Sequence, residues 1–293
     1  GTWTISDMTV TNNGTITHSG DGWDLDATDF TNSSGATVTY SGTAITMEQN
    51  FTQSGTFDLS GITITFDSNG DTSSSASDTT LACTGTLGGT VVIMKSPASD
   101  ADFTLDTGCT INLGVDPTST GKDTNYLSDL TNNGTITIAS GTWTINYMTV
   151  TNNGTITHSG DGWETNDTKF TNSVGANITY SGTTITMDQN FTQSGTFDLS
   201  GITITFDGNA DEDDTTLTCG VPLEGNVVLN KTHATATFIL GSSCTVGDFT
   251  LTAGTVANPA SAYTLSVQGD FAQNANTTFG GANLTVEFSG SAN

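Results

Sequence analysis

Arginine is absent from this 293-residue chain, and its four basic side chains, all lysine, face 30 acidic ones. A net charge of -26 repels phosphate at every approach, so nucleic acid and anionic membrane are poor partners. Charge of either sign is scarce, at 12% of residues, and there are only four prolines. No apolar run is long enough to cross a bilayer as a helix, and no span shows a helical period. The chain starts at Gly1 without an initiator Met or signal peptide, and is expected to be mature or cut from something longer.

What is abundant is repetition. Residues 1–67 return almost letter for letter at 141–207, and the copied text is itself made of shorter copies. Turn glycines at 14, 35, 55, 134, 154, 175 and 195 mark seven units about twenty residues apart where adjacent. Before each glycine stand an apolar residue, a threonine and an amide: Asn12, Asn32, Gln53, Asn132, Asn152, Asn172 or Gln193. After it comes a two-period run such as Ile16 and His18, or Ile136 and Ile138, then a further turn and another short strand.

Three strands and three bends per unit predict an all-β fold, a parallel β-helix solenoid whose coils stack about 4.8 Å apart. Identical positions then lie above one another. The amide position is expected to form a ladder in which each side chain donates to the next, and threonines such as Thr15 and Thr17 or Thr135 and Thr137 point outward. Three regions follow: a first long repeat over 1–140, a second over 141–266, and the start of a third over 267–293, where residues 271–288 resemble 191–206. Residues 68–126 and 208–266 are degenerate coils with longer loops. They still match each other, Lys95 with Lys231 and Phe103 with Phe238.

Cys83 and Cys109 correspond to Cys219 and Cys244, at separations of 26 and 25 residues. One disulfide per long repeat, joining neighbouring coils, is the economical reading, and it places the chain outside the cytoplasm. Four buried thiols are the alternative.

The units 51–66, Phe-Thr-Gln-Ser-Gly-Thr-Phe-Asp-Leu-Ser-Gly-Ile-Thr-Ile-Thr-Phe, and 130–138, Leu-Thr-Asn-Asn-Gly-Thr-Ile-Thr-Ile, resemble the β-helical repeats of large secreted microbial surface proteins, of the filamentous-haemagglutinin-like adhesin and autotransporter-passenger type. The resemblance implies a right-handed helix and a role in adhesion or surface assembly.

Catalysis finds little support. Polysaccharide lyases on parallel β-helices use a basic residue, often Arg, and Lys95 and Lys231 are expected to be solvated surface residues. Hydrolases need converging carboxylates, and the nearest pair, Asp24 and Asp26, becomes Glu164 and Asn166 in the second copy. No enzyme is expected. His18 and His158 fall on the inward side of a strand and read as packed core residues, and His233 stands alone.

An acidic motif offers the best candidate site. Asp67-x-Asn69-x-Asp71 and Asp207-x-Asn209-x-Asp211 set alternate oxygens as calcium loops do, although a solvated acidic loop accounts for them equally. No cofactor is required on this reading, with calcium the one candidate. Eleven Asn-x-Ser/Thr sequons are present in a chain so rich in these residues that chance supplies most of them; binding to glycans and glycosylation stay open.

The expected function is that of a non-enzymatic extracellular structural protein, a filament subunit or adhesin stalk whose partner is itself. Trp3 and Ile5 at one end and Phe288 at the other are expected to be buried where chains join end to end, because neither end carries a cap. Two alternatives compete: a β-helix that binds or degrades carbohydrate, and an ice-binding β-helix using outward Thr-x-Thr pairs. The ice reading is weakened where Asp58, Asn177 and Asp198 interrupt the threonines.

Overall fold

The structure, a computed structural model, describes residues 1–67, 78–95, 101–114, 117–121, 128–208, 214–233 and 235–290. All regular elements among them are strands, every ladder is parallel, and about 12 turns stack about 22 residues apart into a β-solenoid. The spacing exceeds twenty because the degenerate coils carry longer connections between their strands.

A regular coil contributes one strand to each of three faces; the coil that carries Thr215–Cys219 passes to Asn226–Lys231 without a strand on the third. The first face starts as a five-stranded sheet, from Thr2–Ser6 to Thr90–Ile93, and resumes as an eight-stranded sheet from Thr118–Thr120 to Phe271–Gln273. The second is one sheet of 13 strands, from Thr9–Asn12 to Thr278–Phe279. The third is divided into sheets of three, six and three strands.

Alternation decides what each strand buries. Along Gly162–Asn166 the side chains of Trp163 and Thr165 go inward, and along Thr135–Ile138 those of Ile136 and Ile138 do. Like residues stack: Trp3 pairs with Trp23, Trp143 with Trp163, and Phe30 with Phe51. Aromatic rings fill the axis, with centroids 5.2 Å apart between Trp143 and Trp163 and 5.9 Å apart between Phe30 and Phe51. Each fully buried Phe or Leu contributes about 1.5–3 kcal/mol, and the contribution is realised only when a neighbouring coil covers it.

The long repeat is visible in the pairings. Ile64 pairs with Val91 as Ile204 pairs with Val227, and Thr79 pairs with Phe103 as Thr215 pairs with Phe238.

Candidate functional site

Two of the solenoid's corners carry its buried polar chemistry. At the corner between the second and third faces, Asn12 Nδ2 donates to Asn32 Oδ1 at 2.9 Å, and Asn32 Nδ2 to Gln53 Oε1 at 3.2 Å. In the second copy Asn132 donates to Asn152 at 2.7 Å, Asn152 to Asn172 at 2.9 Å, and Asn172 to Gln193 at 3.1 Å. Each of these donor amides also reaches a main-chain carbonyl of the coil above, as Asn132 does to Thr155 O at 3.0 Å. Carbonyls of the buried turns thereby gain side-chain donors.

The ladder comes in two runs rather than one. Gln53 pairs in register with Cys83, and Gln193 with Cys219. There the amide file gives way to a cystine, Cys83 to Cys109 and Cys219 to Cys244, each joining consecutive coils with Cα atoms 4.7 and 5.3 Å apart. Beyond it the inward pattern has stepped by two residues, so Asn132 stands in register above Leu105 and a new run begins.

The corner between the first and second faces overturns one expectation. Lys95 and Lys231 are not solvated; they are 0% and 1% exposed. Lys95 Nζ donates to Asp67 O at 2.9 Å, Thr79 Oγ1 at 2.7 Å and Glu48 O at 3.4 Å. Lys231 Nζ donates to Asp188 O at 2.6 Å and to Asp207 O. The physical reason lies in the turns, whose carbonyls point into the corner and need donors that no strand supplies. Thr79 and Thr215 help, donating to Glu48 O at 2.8 Å and Asp188 O at 2.9 Å. Burial lowers the Lys95 ammonium to about 8, while Asp67, Asp78, Glu48 and Asp102 act to keep it charged.

Glu48 is the partner that sequence reasoning missed. Its Oε2 accepts the Ala27 N–H at 3.1 Å, a donor aimed inward because Ala27 adopts φ 43°. Its Oε1 is buried without a hydrogen-bond partner. Burial first, then the neighbouring Asp26 and Asp67, push this carboxyl up to about 7. The second copy resolves the same corner differently. Asp188 takes the place of Glu48 and accepts Thr165 Oγ1–H at 3.0 Å, Thr168 N–H at 3.3 Å and the Asp167 N–H. Thr165, Asn166 and Asp167 stand where the first copy has Leu25, Asp26 and Ala27. An acid retained at this step in an otherwise near-identical repeat was the available signal.

Of the calcium candidates, Asp67 and Asp207 flank this corner, and their main-chain oxygens hold the lysines. Asn69, Asp71, Asn209 and Asp211 lie outside the described residues. Among the described residues no three His, Cys, Asp or Glu side chains are grouped for a metal ion. A cavity of about 330 Å³ beside Asp207 is lined by oxygen-bearing groups, including Asn166, Asp188 and Asn230.

Both inward histidines pack among aromatics. His18 Nδ1 accepts the Trp23 indole N–H at 2.9 Å and its ring stacks on Tyr40 at 5.7 Å. His158 Nε2 lies 2.9 Å from Gly141 O, and burial lowers its pKa. His233 is placed with Thr235.

On the outside, Thr15 pairs with Thr37 and Thr135 with Thr155, but Asn177 follows Thr155. An unbroken file lies instead on the second face: Thr80, Thr104, Thr131, Thr151, Thr171, Thr192 and Thr218 pair in register over seven successive coils. At the ends, Ile5 is already buried within its own chain, against the expectation of a neighbour's cover, because it pairs with Leu25. Trp3 is half-buried, edge-on to Trp23 at 5.0 Å. Phe288 is 66% exposed, with Phe271 beside it at 5.5 Å.

Compared with known proteins, the chain matches no family model, no curated protein and no solved structure.

Proposed function

We propose that this chain is a structural element of an extracellular surface assembly: a stiff section of fibre, stalk or adhesin that joins further coils end to end. The observation that carries the reading is the way each amide run ends in a cystine, so that successive coils are tied by side-chain hydrogen bonds and then by a covalent bond. Disulfides of this kind belong to an oxidising, non-cytoplasmic setting. The exposed Phe288 beside Phe271 offers an apolar platform for a further coil, and the net charge of -26 keeps the sides of such rods apart.

Electron microscopy and light scattering of the purified protein test this. Rods that lengthen with concentration and resist proteases are expected. Cleavage of a glycan that is abolished by one carboxylate substitution would replace the reading with an enzymatic one.

The seven-threonine file supports a second reading, binding to ice. Its β-branched side chains hold hydroxyls and methyls at the coil repeat of about 4.8 Å. A freezing-hysteresis assay decides it, and no hysteresis at millimolar protein eliminates it.

A further inference from the structure

Three Asn-Gly dipeptides, Asn13-Gly14, Asn133-Gly134 and Asn153-Gly154, lie on the turn that leaves the amide ladder. Asn-Gly is chemically labile. The glycine nitrogen gives up its proton and attacks the asparagine Cγ, ammonia leaves, and the resulting succinimide takes up one water to become aspartate or isoaspartate. Glycine favours this because no side chain shields its nitrogen. Here two of the glycines are forced by stacking: a Cβ at Gly134 would stand 2.3 Å from Cys109 O, and one at Gly154 would stand 2.1 Å from Gly134 O. The solenoid therefore carries a vulnerable dipeptide as a consequence of its packing.

We infer that the inner amide ladder has a second role, protecting these three asparagines from deamidation by holding the attacking nitrogen. The N–H of Gly14 donates to Asn12 Oδ1 at 3.1 Å, that of Gly134 to Asn132 Oδ1 at 3.1 Å, and that of Gly154 to Asn152 Oδ1 at 3.3 Å. The carbonyl of each glycine is held from the next coil, by Thr37 N–H at 2.8 Å, Thr155 N–H at 2.8 Å and Asn177 N–H at 2.9 Å. For the nitrogen to turn toward Cγ of the preceding residue, the Asn–Gly peptide must rotate and break its bond to the ladder amide, while the following peptide, held by the next coil, anchors the glycine Cα against that rotation. The electrophile is tied as well: Ser33 Oγ donates to Asn13 Oδ1 at 2.7 Å, and Asn153 Nδ2 to Asn133 Oδ1 at 3.0 Å. Asn13 and Asn153 are exposed to water, so the protection comes from geometry and not from burial. It rests on these bonds alone and stands or falls separately from the fibre and ice readings.

Incubating the folded chain, and the same chain reduced and unfolded, in mildly alkaline buffer and mapping isoaspartate by mass spectrometry tests the inference. Deamidation at the three sites is expected to be at least about 100-fold slower in the folded chain, since each event waits on local opening. Equal rates overturn it. Asn152→Ala, which removes the acceptor of the Gly154 N–H, should accelerate reaction at Asn153 and leave Asn13, on the other ladder run, unchanged; Thr151→Ala, outward on the same strand, should change neither. No acceleration in a folded Asn152→Ala chain overturns it too. If that variant does not fold, amide exchange of the unaltered chain decides: Gly14, Gly134 and Gly154 N–H must exchange slowly, and exchange at the free-peptide rate sinks the idea.

Discussion

Replacing Lys95 with methionine keeps the length of the side chain and removes its charge. The ammonium donates to Asp67 O at 2.9 Å and Thr79 Oγ1 at 2.7 Å, with a third, longer bond to Glu48 O at 3.4 Å. Charge-assisted bonds of this kind contribute about 1.5–3 kcal/mol each, and deleting one partner from a buried ionic group costs about 3–5 kcal/mol in all. The loss is expected near the lower end, because the methionine stem retains the packing and Thr79 still donates to Glu48 O. Lys169→Met, at an exposed position, is the control and should shift stability by less than about 0.5 kcal/mol. Lys231→Met should repeat the Lys95 effect, and the double variant should equal the sum within about 0.5 kcal/mol, since the two lysines cap different coils. Urea denaturation followed by circular dichroism reads all four. If Lys95→Met is as stable as Lys169→Met, the lysines do not hold the corner and the account of the turn carbonyls is wrong.

Glu48, with its carboxyl raised to about 7 from 4.5, keeps a proton in the folded chain that the unfolded chain has lost; its contribution is full below about pH 4.5 and is lost as pH rises through about 7. Glu48→Gln, neutral at every pH, should therefore gain stability relative to the unaltered chain as pH rises from about 4.5 through about 7, and melting curves that keep a constant separation across that window would refute it. Asn152→Leu leaves the Asn132 amide, the Gly154 N–H and the Asn177 carbonyl without their partner, for a loss of about 3–5 kcal/mol by denaturation, whereas Asn12→Leu, in the first coil of its run, should cost less. Reducing both cystines should lower stability by about 3–4 kcal/mol for each closed loop, and non-reducing peptide maps should contain Cys83–Cys109 and Cys219–Cys244 alone. Calcium in the millimolar range should raise the melting temperature through the Asp67 and Asp207 loops, and identical melting in chelator would retire those sites.

The repeat made much of this legible from sequence because stacking converts identity of letters into vertical neighbours. The positions of Asn12, Asn32 and Gln53, and the matched cysteines, could be read as columns before any coordinate was known, since a residue repeated at every turn of a solenoid can only meet its own copy. The period-2 pattern likewise separated Ile136 and Ile138 from Thr135 and Thr137, as the pleat requires.

What the sequence by itself determined is thus the class of fold, the outward and inward residues of strands in the regular coils, and which coils the cystines join. Tertiary structure alone decided the rest. The two-residue step between Leu81, Leu105 and Asn132, which breaks the ladder into two runs, is a matter of register between coils, and no local pattern encodes it. The burial of Lys95 and Lys231 was equally hidden, because it is set by carbonyls of residues up to 47 positions earlier in sequence, brought beneath the ammonium by coils that pass under it. A lysine read in its own sequence neighbourhood looks solvated; only the stacked turns below it supply the acceptors that make its burial stable.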